Sequence, residues 1–179
     1  MPVVVRDLIG LLYVEMAGLL GRRTGELHLA LMSLSQSPDF APEPFSPLYQ
    51  KSLYQSIRGQ VVTVFSDLET GLRTMDQPTA DAVRRVLAER KTILNRLHRI
   101  MGRKIEAMKI RTHGDYHLGQ VLYTGEDFVI IDFEGEPTRP ITERRLKQPA
   151  LGDIAGMIES FHYAAHGSLL RASNRCSDN

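Results

Sequence analysis

The sequence predicts a mainly α-helical fold carrying one small β-hairpin. Three observations predict it. Apolar residues recur at helical spacing from Leu8 to Leu34, from Tyr49 to Leu68 and from Val83 to Ile105, the mark of helices that bury one face. Two short apolar runs, Val121–Tyr123 and Phe128–Ile131, flank the polar Thr124-Gly125-Glu126-Asp127, the pattern of a hairpin. Acids, histidines and glycines gather at the two ends of that hairpin. His113, Asp115, His117 and Gln120 come just before it, and Asp132 and Glu134 just after it. Pairing the strands would bring these two clusters side by side.

A chain of 179 residues with 42% hydrophobic residues is expected to be one domain, or one large piece of one, with a real core. The net charge of +1 gives no reason to expect a nucleic-acid or membrane partner. Arg6, Asp7 and Glu15 interrupt the apolar N-terminal stretch, against a membrane span. No basic segment followed by a clean apolar core marks a signal peptide. The single cysteine, Cys176, cannot form an internal disulfide, which fits a reducing, cytoplasmic setting. Internal repeats and low-complexity tracts are absent.

In chain order, residues 1–34 read as one long helix, or two joined near Gly18–Gly25, because glycines weaken a helix. His28 falls in this apolar context and is read as a packed, hydrogen-bonded histidine rather than a ligand. Ser35–Pro47 contains Pro38, Pro42, Pro44 and Pro47 and is an extended connector. Residues 48–108 form a helical subdomain. Its first helix spans about Leu48–Leu68, with Tyr49, Leu53, Ile57, Val61 and Phe65 on one face. Tyr49 and Tyr54 suit the core or its edge better than a sugar stack. Asp76 and Pro78 then mark a helix start, and a third helix is expected over Thr79–Met108. Its Arg and Lys residues are read as a solvated face. Glu136–Gln148, with Arg139, Arg144, Arg145 and Lys147, is too irregular for a helix and reads as a loop beside the site. A last helix is expected over residues 150–165, with Ile154, Met157, Ile158 and Phe161 on one face. Asp153 lies in its first turn, where the helix dipole favours a carboxylate. Residues 171–179 are read as a disordered polar tail.

The chemistry of residues 111–135 follows from their side chains. Gly114 permits a tight backbone approach before Asp115, whose carboxylate can take a proton from an attacking hydroxyl. Gln120 and Asp132 offer one neutral and one charged oxygen. Such oxygens suit Mg²⁺, which keeps waters and is usually completed by substrate phosphates. One base with two oxygen ligands points to phosphoryl transfer. The kinase catalytic loop has the same spacing, with a metal-binding Asp-Phe-Gly element across a hairpin. The counterparts here are His113-Gly114-Asp115, Gln120 and Asp132-Phe133-Glu134-Gly135.

These residues resemble the aminoglycoside-phosphotransferase-like branch of the kinase superfamily, and within it the maltokinases. The likeness rests on His-Gly-Asp-Tyr-His-Leu-Gly-Gln-Val-Leu and on Ile-Asp-Phe-Glu-Gly-Glu-Pro. It extends to Glu143-Arg144-Arg145, to Asp153-Ile154-Ala155-Gly156-Met157 and to Ser160-Phe161-His162-Tyr163-Ala164-Ala165. Weaker support comes from Gly21-Arg22-Arg23-Thr24 before Glu26-Leu27-His28, and from Pro42-Glu43-Pro44-Phe45 before Leu48-Tyr49-Gln50. It runs from about Leu20 to Ala165.

The resemblance implies the C-terminal lobe of a protein-kinase-like fold, spanning residues 1–170. It also implies transfer of the ATP γ-phosphate to the anomeric hydroxyl of maltose, giving maltose 1-phosphate. Such domains can follow a trehalose synthase domain in one polypeptide. Asp115 would be the base or the residue that orients the hydroxyl. Gln120 and Asp132 would hold Mg²⁺ and, through it, the phosphates of ATP. His117 would contact the transferring phosphoryl group, and Glu134 would add a metal or substrate contact. His113 would shape the loop. The sugar-site candidates are Tyr116, Glu134, Arg139 and Arg144.

A kinase of this type also needs a lobe with a strand lysine and a phosphate-covering loop, and neither motif occurs here. The expectation is therefore a C-lobe cut from a longer protein and inactive alone. The surface its partner lobe would cover invites self-association into homo-oligomers. Two other readings stand beside this one. The acceptor is an aminoglycoside or choline, chosen by the helical subdomain. Alternatively His113, Asp115 and His117, alternating on a strand, bind a transition metal in a phosphohydrolase.

Overall fold

The computed structural model describes residues 10–34 and 36–177. Residues 1–9 of the expected first helix, and the last two residues of the expected tail, lie outside the described residues. The chain divides into two compact units. One is built from the chain up to Glu43 and from Met108 onward, the other from Pro44–Ala107.

In the first unit, α1 runs unbroken over Leu11–Ser33. Gly18, Gly21 and Gly25 do not divide it. The helix is held along one edge instead, where Leu20, Thr24 and His28 are all buried at i, i+4, i+8 spacing. The hairpin forms as its sequence predicts. Strand β3 (Val121–Tyr123) pairs antiparallel with β4 (Phe128–Ile130), Leu122 standing opposite Val129. The turn closes with the Thr124 N–H on the Asp127 carbonyl, 2.9 Å. A short helix α5, Ile141–Arg144, follows in the segment read as a loop. Pro140 precedes it, and a Pro just before a helix presets its start. The last helix, α6, spans Leu151–Ser177. It continues past the Ala165 end read from its apolar face and through most of the segment read as a disordered tail. After Gly167 no Gly or Pro follows to stop it. The core of this unit is Leu20, Tyr116 and Met157, with Leu118, Val121, Phe128, Ile130 and Phe161 packed around it.

In the second unit, α2 covers Pro47–Gly71. Ser46 caps it, its hydroxyl accepting the Tyr49 N–H at 3.2 Å, and Pro47 opens the first turn. The single helix expected over Thr79–Met108 is instead three pieces. They are α3 (Gln77–Ala88), α4 (Arg90–His98) and a 3-10 turn, Arg99–Gly102. At the break, the Glu89 N–H bonds back to Val86, one residue short of an α-helical bond. Neither Gly nor Pro marks this point in the sequence. Asp76 precedes α3 but makes no side-chain capping bond. Beyond Gly102 the chain is extended because Gln50, on α2, takes over its backbone groups. The buried Gln50 amide donates to the carbonyls of Ile100 and Arg103 and accepts the Ile105 N–H. Leaving such groups unmet in a core costs about 1–3 kcal/mol each. Phe65, also buried on α2, carries the Arg90 guanidinium 5.7 Å above its ring.

Short strands β1 (Glu43–Pro44) and β2 (Met108–Lys109) lie where the chain passes between units. Within the first unit the Glu43 carboxylate meets Lys109 at 2.8 Å and Lys147 at 2.9 Å. These ammonium groups hold its carboxyl below the usual range.

Candidate functional site

The site is built on the loop His113–Gly119 and the turn Ile131–Gly135, at the two ends of the hairpin. Three contacts join them. The His113 Nε2 donates to the Ile131 carbonyl at 2.8 Å. The Ile131 N–H donates to the Gln120 carbonyl at 3.0 Å. The Gln120 amide nitrogen donates to Asp132 Oδ2 at 2.9 Å. Gly114 and Gly135 approach so closely that a Cβ on Gly114 would lie 3.4 Å from the Gly135 Cα. Both have positive φ, 86° and 75°, where glycine is at ease.

Asp132 also has positive φ, 64°, although it carries a side chain. Aspartate tolerates this region better than most residues, and outliers of this kind cluster at functional sites. The conformation turns the chain just after β4 and leaves the carboxylate exposed beside Gln120.

His113 is 1% exposed, the most buried side chain of the site. Its ring stands 5.0 Å from that of Phe133 and 5.3 Å from that of Tyr116. With Nε2 donating to Ile131, Nδ1 is the acceptor and faces the Asp115 N–H at 3.4 Å. The ring shapes the loop. Asp115 is half-buried. His117 Nδ1 accepts the Gly119 N–H at 3.0 Å, so its Nε2 carries the proton and stands 3.9 Å from Asp115 Oδ2. That gap is too long for a direct hydrogen bond.

Asp153 organises the loop from behind, and sequence reasoning credited it only with a favourable place on its helix. Its Oδ2 accepts the His113 N–H at 2.9 Å and meets His28 Nε2 at 2.9 Å. Its Oδ1 accepts the Gly114 N–H at 3.0 Å. Burial pushes this carboxyl up, but the hydrogen bonds from His28, Gly114 and His113 more than offset it, and the net shift is down. His28 is thus packed and hydrogen-bonded, as its apolar context suggested. On the other side of Asp115, Tyr116 is buried with its hydroxyl 2.8 Å from Thr24 Oγ1. Arg23 grips the hairpin turn, its Nε and Nη2 both 2.8 Å from the Asp127 carboxylate. The only sequence signal for these partners was a buried-type polar residue in an apolar helix face.

Several expected site residues are placed differently. Tyr116, one of the sugar-site candidates, is a buried core residue whose hydroxyl is taken up by Thr24. The Arg144 guanidinium braces its own loop, donating to the carbonyls of Arg139 at 2.8 Å and Pro137 at 2.9 Å. Glu134 and Arg139 are exposed. No described hydrogen bond ties Glu134 to Gln120 and Asp132. Residues 113–117 form a loop rather than a strand. Among the described residues no group of three or more His, Cys, Asp or Glu side chains is placed to hold a metal. That removes the alternating-ligand geometry on which a phosphohydrolase reading rested. Gln120 and Asp132 remain a pair of oxygen-bearing side chains from opposite ends of the hairpin. Such a hard, incomplete set fits Mg²⁺, which takes its other ligands from water and phosphate. Among the described residues, no helix is long and apolar enough to cross a membrane.

No protein-family model matches the chain. Over 62 residues it is 36% identical to a glucosamine kinase of Streptacidiphilus jiangxiensis, which covers 35% of this chain and 14% of that protein. Over 53 residues it is 45% identical to a glucosamine kinase of Mycolicibacterium smegmatis, covering 30% of this chain and 13% of that protein. A solved glucosamine kinase in complex with glucosamine, ADP and inorganic phosphate superposes with a TM-score of 0.63 at 22% identity, over 85% of this chain and 34% of that one. Another crystal form of glucosamine kinase gives a TM-score of 0.67 at 21% identity, over 89% and 33%. The chain spans about a third of the solved chains it matches, and over that third it shares their fold.

Proposed function

We propose that this chain is the catalytic-loop portion, the C-terminal lobe, of an ATP-dependent sugar kinase. The observation that carries the reading is the joining of the Asp115 loop to the Gln120–Asp132 pair through His113 and the hairpin. A sugar hydroxyl held at Asp115 would attack the γ-phosphorus of ATP. The new P–O bond forms as the bond to the β,γ-bridging oxygen breaks, ADP departs, and Asp115 accepts the hydroxyl proton. His117 Nε2, 3.9 Å from the same carboxylate, would offer a donor to a phosphoryl oxygen. Asp132 and Gln120 would hold Mg²⁺, with Gln120 presenting its amide oxygen in place of the nitrogen that meets Asp132. Magnesium would supply charge neutralisation of the phosphates.

The acceptor we propose is maltose, on the resemblance of residues 20–165 to maltokinases. The kinship with glucosamine kinases supports a sugar acceptor in general and makes glucosamine the alternative to test. We place the domain in the cytoplasm, and a trehalose synthase domain in the same polypeptide accords with this reading.

A phosphotransfer assay on the full-length gene product, with Mg²⁺-ATP and maltose, glucosamine, trehalose or an aminoglycoside, tests the proposal. Maltose-dependent ADP release is expected. Asp115→Asn should lower its rate by about 10³-fold while leaving stability within about 0.5 kcal/mol. Turnover with glucosamine alone would replace the acceptor and keep the mechanism. No turnover with any sugar would overturn the reading.

A further inference from the structure

The structure assigns to Thr24 and His28, on the buried edge of α1, the role of positioning residues that hold the Asp115 loop from both sides. The functional half of this inference rests on the kinase reading; the geometric half does not.

The two side chains are 7% and 9% exposed, one helical turn apart on one edge. A core position on an amphipathic helix is ordinarily apolar, and a buried polar group there needs a partner. Thr24 spends its single hydroxyl proton on the Leu20 carbonyl, 2.8 Å away. Toward Tyr116 it is therefore the acceptor, and the Tyr116 hydroxyl donates at 2.8 Å. Tyr116 directly follows Asp115. His28 donates Nε2–H to Asp153 Oδ2, and that carboxylate in turn accepts the His113 and Gly114 N–H groups. Those residues directly precede Asp115. One helix edge thus fixes residues 113 and 114 through Asp153 and residue 116 by direct contact, with Asp115 between them. Close packing reinforces the arrangement, because a Cβ on Gly156 of α6 would stand 2.8 Å from the Tyr116 carbonyl oxygen. Neither Thr24 nor His28 has a contact with Asp115 itself, so both act through the loop.

Amide hydrogen exchange on this chain tests the geometry. His28→Ala should accelerate exchange at His113 and Gly114 by about tenfold or more, with α2–α4 unchanged. His28→Gln, whose amide can donate to the same carboxylate oxygen, should restore protection. Thr24→Val should loosen the loop around Tyr116, and Thr24→Ser should restore it. The threonine pair supplies the same readout should His28→Ala fail to fold. In the full-length gene product, His28→Ala should lower kcat by about ten- to a hundredfold with KM for ATP unchanged, and His28→Gln should recover most of it. Unmoved loop amides, or acceleration spread evenly over both units, would overturn the assignment. So would full kcat in His28→Ala. If even the wild-type gene product transfers no phosphate, the kinase reading fails and the exchange data alone decide whether α1 positions the loop.

Discussion

The loop around Asp115 and the turn around Asp132 lie against one another, yet they are held by different means. The loop depends on long-range contacts. The backbone donors of His113 and Gly114 end on Asp153, 40 and 39 residues away, that of Leu118 ends on Ser160, and the Tyr116 hydroxyl ends on Thr24. The Asp132 turn depends on local geometry. Two positive-φ residues, Asp132 and Gly135, bend the chain, and its link to Gln120 spans only the hairpin. On the proposed kinase reading, Asp115 as base would have to be aimed at one hydroxyl, which accords with the buried supports on either side of it. On the same reading, a metal-holding carboxylate at Asp132 would need access to solvent and phosphates, and the backbone bend presents it without burial.

Perturbing the loop's anchor should do most damage. Asp153→Ala removes a buried carboxylate that satisfies two N–H groups and one imidazole, and should cost about 3 kcal/mol in urea unfolding. An effect below about 1 kcal/mol would mean that the loop does not depend on this anchor. Part of the same energy should appear as acid lability. The folded-state pKa of Asp153 lies below its ordinary value of 3.8. Its contribution is therefore present above that value and lost as pH falls through the folded one. Asp153→Asn should flatten the acid limb of a stability-versus-pH curve, and an unchanged limb would assign acid sensitivity to other carboxylates such as Glu43, which is also shifted down.

Gly156→Ala attacks the loop from α6 without touching a charge. A Cβ 2.8 Å from the Tyr116 carbonyl oxygen meets backbone that cannot swing aside, so a loss of about 2 kcal/mol is expected. Thermal unfolding of the variant checks it, and a neutral outcome would show that the loop can shift. The smallest effect should fall on the locally built turn. Asp132→Ala should be less stable than Asp132→Gly by about 1 kcal/mol, because alanine at φ 64° is strained and glycine is not. Equal stabilities would argue that the turn relaxes on substitution. Both variants should lose phosphotransfer equally, since neither keeps the carboxylate.

Much of this was written locally in the chain. The hairpin was legible because alternating turn and apolar residues set strand pairing within ten residues. The helices from Leu11 and Pro47 were legible from apolar spacing, and the meeting of Gln120 with Asp132 from their places at the two ends of the hairpin. The break at Glu89 was not, since no Gly or Pro signals it. Nor was the stretch after Gly102, where Gln50, more than fifty residues earlier, holds the Arg103 carbonyl and the Ile105 N–H. Tyr116 reads from the sequence as a sugar-site candidate, and only the fold shows that it is buried with its hydroxyl against Thr24.

Local sequence thus sets which segments are helix, strand or turn, because backbone preference and apolar period act over a few residues. The partners of buried polar groups are decided by the folded chain alone. Each such group must find a complement wherever close packing brings one, and neither His28 nor Asp153 carries in its own neighbourhood any sign of the other.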